Sequence, residues 1–159
     1  MTFDDWILAL HLLSAFALVA ALVLFWILIV ASRNVDTPGP TIALGRIAVV
    51  GSATIAVGIA GTIVFGVWLA ISLDAYQVWD GWVIGAIVLW AIAAGTGGRA
   101  GKEYSRAFDR ARELDAAGQS GPDSGLLALN RTSQGLLLHT ISSAVTLLIL
   151  IDMIWKPGA

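Results

Sequence analysis

Four apolar runs, near residues 6–31, 46–72, 81–98 and 134–155, occupy most of the 159 residues of this chain. A helix rising about 1.5 Å per residue needs about 18–20 apolar residues to cross a hydrocarbon layer about 30 Å thick, and each run approaches or exceeds that length. The expected fold is therefore all-α: a polytopic four-transmembrane-helix bundle forming one domain over residues 1–159. With 58% hydrophobic and 13% charged residues the chain is more apolar than a soluble domain of this size can hide, and one membrane bundle accounts for it. The first run exceeds the length of a secretory h-region and is preceded by Asp4 and Asp5 rather than by basic residues. It reads as helix one and not as a cleaved segment.

Charge is segregated along this pattern. Eight of the nine basic residues (Arg33, Arg46, Arg99, Lys102, Arg106, Arg110, Arg112 and Arg131) fall where an even-crossing bundle places one side of the membrane, and only Lys156 falls on the other. The positive-inside bias puts the 32–45 and 99–133 loops in the cytoplasm and both termini outside. Asp4, Asp5, Asp74, Asp80 and Asp152 lie at or near the opposite, outer face. A formal net charge of -2 gives no support to a nucleic-acid partner, and the absence of cysteine excludes disulfides, thiolate metal sites and thiol chemistry.

Asp4 or Asp5 is placed to cap helix one, and Asp80 to cap helix three. The stretch Ser32–Thr41, with Asn34, Asp36, Pro38, Gly39 and Pro40, reads as the turn before helix two. Helix two carries Thr54, Gly58, Thr62 and Gly66 at four-residue spacing. Lipid gives helices no hydrophobic reason to associate, so such strips of small residues supply close van der Waals contact instead, and helix two is the expected packing hub. Gly81 and Gly85 repeat the device on helix three. Beyond Gly98 the composition turns polar, and residues 99–118 are expected to extend helix three into the cytoplasm with i,i+3 pairs Glu103–Arg106 and Asp109–Arg112. Gly118 and the Gln119–Gly125 run are expected to end it.

No catalytic motif stands out. His11 and His139 are the only histidines, both inside apolar helices, where ionisable groups are costly and face the bundle interior. Thr132, His139, Ser142, Ser143 and Thr146 form a polar stripe on helix four, and hydroxyls bonded to carbonyls one turn back are the packing alternative. Counted from the helix ends, His11 lies about 6 Å below the outer surface and His139 about 6 Å above the inner one, leaving about 18 Å between them. One iron shared by both is thereby disfavoured, whereas a haem b on His11 alone, or between two copies of His11, remains an option. The aromatic and acidic stretch Trp68–Trp82 reads as an interfacial belt, with a cation site through Asp74 and Asp80 as the alternative. Gly95–Glu103 lacks the leading glycine and the Ser/Thr of a phosphate-binding loop and follows a membrane helix, so Lys102 and its arginine neighbours are assigned to anionic lipid. The sequon letters Asn130-Arg131-Thr132 fall on the cytoplasmic side, and Asp152 with Lys156 forms an i,i+4 anchor.

The opening Trp6-Ile7-Leu8-Ala9-Leu10-His11-Leu12-Leu13, the Gly66-Val67-Trp68-Leu69-Ala70 end of helix two and Trp79-Asp80-Gly81-Trp82-Val83 resemble an uncharacterised bacterial family of four-helix integral membrane proteins. That family is similar in layout to CopD-like copper-resistance and HemJ-like protoporphyrinogen oxidase membrane proteins. The resemblance implies a bacterial plasma membrane location and, at the position of His11, haem binding. The membrane lysine that HemJ-like catalysis uses in helix three has no counterpart here before Lys102, and Met1 and Met153 are the only soft ligands for copper. The expected function is a non-enzymatic accessory or scaffold protein that packs through small-residue faces against itself or a membrane-complex partner. The alternative is a haem- or porphyrin-binding redox protein using His11.

Overall fold

The computed structural model describes residues 2–72 and 80–156, and the described residues form helices and turns. In chain order the elements are α1 (Phe3–Ser32), α2 (Pro38–Ser72), α3 (Gly81–Ala116), the short α4 (Ser124–Asn130) and α5 (Ser133–Trp155). Four helical segments are long and apolar enough to cross a membrane. Only 17%, 6%, 11% and 17% of the most apolar window of each is buried inside the chain, so most of that apolar surface faces outward. Such a surface is stable where lipid is the solvent, because an α-helix satisfies its own backbone hydrogen bonds.

The bundle is built from two antiparallel pairs, α1 with α2 and α3 with α5. Along the first seam, Gly51 lies against Phe25 and Leu24, Gly58 against Leu18 and the Ser14 carbonyl, and Gly66 against His11. At the N-terminal end of α1 the Ser72 hydroxyl donates to the Asp4 carboxylate at 2.6 Å, and the rings of Phe3 and Trp68 meet edge to face at 5.9 Å. Between the pairs, Gly45 of α2 gives room to the ring of Phe108 on α3. Of the residues expected to pack, Gly58, Thr62 and Gly66 face α1 and Thr54 is half-buried, its hydroxyl turned back to Val50.

Several boundaries and contacts differ from the sequence reading. Helix two begins at Pro38, eight residues earlier than expected. Its prolines occupy the first turn, where amide hydrogens have no intrahelical acceptor, so they start the helix instead of interrupting it. Thr2, not Asp4 or Asp5, is the cap of α1: its hydroxyl accepts from the Asp5 amide at 3.3 Å, while the Asp5 carboxylate accepts from the Thr2 amide at 2.6 Å. This reciprocal box satisfies two otherwise orphaned donors. Among the described residues Gly81 has no neighbour within 4 Å of where a side chain would start, and Gly85 has only the Asp152 carboxylate at 3.7 Å. The glycine of α3 that does pack is Gly97, against Ser142. Glu103–Arg106 pairs as expected at 2.8 Å, whereas Arg110, not Arg112, makes the second local pair, with Glu113 at 3.5 Å. The Arg112 guanidinium lies over the Phe108 ring instead. The Leu73–Trp79 part of the aromatic stretch, including Asp74, lies outside the described residues.

At the basic end α3 runs unbroken past the apolar segment and closes with a Schellman turn. Gly118 takes φ +72°, its amide donating to the Asp115 carbonyl and that of Gln119 to the Leu114 carbonyl at 2.9 Å. Ala107, Ala111, Leu114 and Leu126 bury one another there, with Ile42 and Leu129 alongside. Polar contacts tie the α1–α2 turn to this cap. The Asn130 amide donates to the Val35 carbonyl at 2.9 Å and the Thr41 hydroxyl at 3.3 Å, and Arg131 donates to the Arg33 carbonyl at 2.7 Å. The Asp123 amide donates to the Asp36 carbonyl at 2.8 Å.

Candidate functional site

The two histidines occupy separate seats. His11 sits in the α1–α2 seam with Nδ1 3.0 Å from the Thr62 carbonyl oxygen. A carbonyl only accepts, so Nδ1 carries a hydrogen, and in the neutral form of the ring the lone pair lies on Nε2. Gly66 creates the seat. A side-chain carbon there would stand 3.0 Å from Cε1 and 3.2 Å from Nδ1 of His11, and it lies one turn after Thr62, at the point where the ring reaches the carbonyl. The Thr62 hydroxyl is buried without a hydrogen-bond partner, so this part of the seam contains a second polar group held in an apolar setting.

His139 lies near the opposite end of the spans, 8% exposed, among α1 and α5 side chains. Its ring meets that of Trp26 edge to face at 4.9 Å and that of Phe25 at 6.3 Å, and its Nε2 is buried without a hydrogen-bond partner. Trp26 donates its indole N–H to the Ser143 hydroxyl at 3.0 Å. Ser143 in turn donates to the His139 carbonyl at 2.8 Å, Thr146 to the Ser142 carbonyl at 2.8 Å, and Ser142 across to the Ala93 carbonyl of α3 at 3.0 Å. The stripe thus joins α1, α5 and α3 through hydroxyls, while the imidazole contributes ring contacts. Thr132 does not belong to it, because its hydroxyl caps α5 by accepting from the Gly135 amide at 3.2 Å.

Trp26 is the residue of this cluster that sequence reasoning passed over. Its signal was depth. Tryptophan gathers at the interfaces, so one near the C-terminal end of helix one needs a partner for its N–H. Trp26 also fixes the distance between the two seats: it is fifteen residues from His11 on α1, about 22 Å along the axis. The two imidazoles therefore stand at different levels and cannot ligate one iron within a chain.

A groove of about 580 Å³ opens on the outward flank of the α1–α2 seam, with Ser14, Ala17, Gly58 and Gly61 in its floor and Leu13 and Phe65 among its walls. His11 does not line it. Where the start of α3 meets the end of α5, one Asp152 carboxylate oxygen is buried with no hydrogen-bond partner among the described residues, and the Lys156 ammonium lies 5.5 Å over the Trp82 ring. In the cap beyond the apolar segments, burial pushes the Tyr104 phenol above its ordinary pKa, with the Arg33 guanidinium acting in the opposite direction. Among the described residues no three His, Asp or Glu side chains converge as metal ligands would. No family model, curated protein or solved structure matches the chain.

Proposed function

We propose that this chain is a non-enzymatic accessory or scaffold subunit of an assembly in a bacterial plasma membrane, with its basic cap in the cytoplasm and both termini outside. The observation that carries the reading is the groove on the α1–α2 flank. The inner side of the small-residue strip is consumed within the chain, Gly58 by Leu18 and Gly66 by His11. What remains open is the groove beside them, a floor of small residues in which Ser14, Ala17 and Ala60 lie between aliphatic and aromatic side chains while Leu18 and Ser14 already fill the notches at Gly58 and Gly61. Helix association in lipid relies on close backbone approach over such floors. The occupant we assign is a hydrophobic transmembrane helix of a partner subunit.

A single cysteine at Ala17 tests this, since the chain has no other. A short bifunctional thiol or photoactivatable reagent, applied to native membranes, is expected to give an adduct larger than the chain but not twice its mass. An adduct of twice the mass makes the occupant a second copy. No adduct in native membranes overturns the reading.

A haem-type ligand on His11 is the second reading. The hydrogen bond from Nδ1 to Thr62 favours it, because ligating histidines commonly donate their other ring nitrogen to a carbonyl and leave Nε2 to the metal. The donor fits and the space does not: the large groove in this half of the bundle lies on the other flank of α1. A visible absorption spectrum of protein purified from haem-supplemented cells decides between them. The second reading requires a porphyrin band that His11→Ala abolishes and His139→Ala leaves in place.

A further inference from the structure

We infer that the outward face of α3 is a binding site for one anionic phospholipid of the leaflet at the basic end, held by Arg99 and Lys102, with Arg106 beside them. At 100° per residue, Gly95, Arg99, Lys102 and Arg106 share one face of the helix, with Gly98 at its edge. All five are exposed, and Ala100, Ala107, Ala111 and Leu114, which are buried, lie on the other side. Toward the membrane interior the same face continues through Ala91, Val88 and Ile84, also exposed. It therefore presents an apolar track that ends in cations.

Three features select a lipid over plain solvation. The first is depth: the apolar part of α3, Gly81–Gly98, is about 27 Å long, so Arg99 and Lys102 stand where hydrocarbon gives way to headgroups. The second is charge. Arg106 pairs with Glu103 at 2.8 Å, whereas Arg99 and Lys102 have no ion-pair partner among the described residues. An uncompensated cation at headgroup level attracts an anionic lipid by about 1 kcal/mol, or about fivefold in affinity. The third is shape: Gly95 and Gly98 have nothing within 4 Å of where a side chain would begin, so an acyl chain can lie against the backbone directly above the two cations. A phosphate at Arg99 and Lys102 with its chains along Gly98, Gly95 and Val88 uses every element of this face. The inference is independent of the α1–α2 groove, which lies on other helices.

The test uses purified protein in mild detergent, titrated with dioleoyl-phosphatidylglycerol or dioleoyl-phosphatidylcholine and read by native mass spectrometry as the fraction retaining one lipid. Retention of phosphatidylglycerol at one per chain is expected, with phosphatidylcholine retained at least about fivefold less. Arg99→Gln and Lys102→Gln should each weaken phosphatidylglycerol retention about fivefold. Gly98→Leu should weaken it by filling the track without changing charge. Arg112→Gln, the same charge change about 15 Å further along α3, should leave it unchanged. All four positions are on the helix surface, and equal elution volume and helicity establish that each variant is folded. Equal retention of the two lipids, or an Arg112→Gln effect equal to those of Arg99→Gln and Lys102→Gln, overturns the inference.

Discussion

His11 donates from Nδ1 to the carbonyl oxygen of Thr62, 51 residues away in sequence and 3.0 Å away in space. The contact exists because Gly66 offers no side chain where the ring passes. Gly66→Val should displace His11 and lower stability by about 1–3 kcal/mol, the usual range for overpacking. Gly81→Val, at a position without neighbours, should be closer to neutral. Thermal unfolding in detergent compares the two, and an equal loss in both would mean that helix propensity, not the histidine seat, sets the cost.

The Trp26–Ser143 hydrogen bond joins α1 to α5. Trp26→Phe and Ser143→Ala should each destabilise the bundle, and the double variant should lose less than the sum. Interhelical hydrogen bonds in membranes couple by about 0.6 kcal/mol on average and about 1.7 at most. A double-mutant cycle measured by unfolding in mixed micelles gives the value. Strict additivity would show that the indole N–H contributes nothing beyond packing.

Asn130, 4% exposed, holds the α1–α2 turn to the cap through Val35 and Thr41. Asn130→Ala leaves the half-buried Val35 carbonyl without its side-chain donor and should cost about 1 kcal/mol. The loosening should be local, so limited proteolysis should cut near Val35 and Gln119 faster while the spans stay protected. Unchanged cleavage would remove the latch role.

The proposed orientation rests on the eight-to-one basic asymmetry. In intact cells a cysteine at Gly158 should react with an impermeant thiol reagent and one at Gln119 should not. The reverse pattern would invert the proposed topology.

Helix content and number were legible because apolar length alone decides them, and the extension of α3 was legible from i,i+3 and i,i+4 spacing beyond Gly98. The start of α2 was not, because Pro38 and Pro40 carry opposite meanings at a helix start and in a helix interior, and only the position of the first turn tells them apart. The inward placement of Gly58 and Gly66 could be anticipated as packing, but not their partners: which side chain fills a glycine notch depends on the rotation of α1. His139, Ser142 and Ser143 are all buried on α5, yet their bonding was not readable. A hydroxyl can satisfy itself one turn back, as Ser143 does, or reach across to another helix, as Ser142 does, with no difference in local sequence.

At about 1.5 Å per residue the 36 residues of α3 measure about 54 Å, well beyond a 30 Å hydrocarbon layer. Its far third is held by the α4 cap, α5 packs along it from Gly85 to Tyr104, and within that packed stretch Gly95, Gly97, Gly98 and Gly101 fall within seven residues. Each glycine in a helix interior gives up about 1 kcal/mol relative to alanine. Mechanically, α3 is one strut that α5 splints across its glycine-rich stretch at the membrane boundary. Because the cap is also bonded to the α1–α2 turn through Asn130, Arg131 and Asp123, a tilt of the spans is carried into the cap, and the two lean as one body.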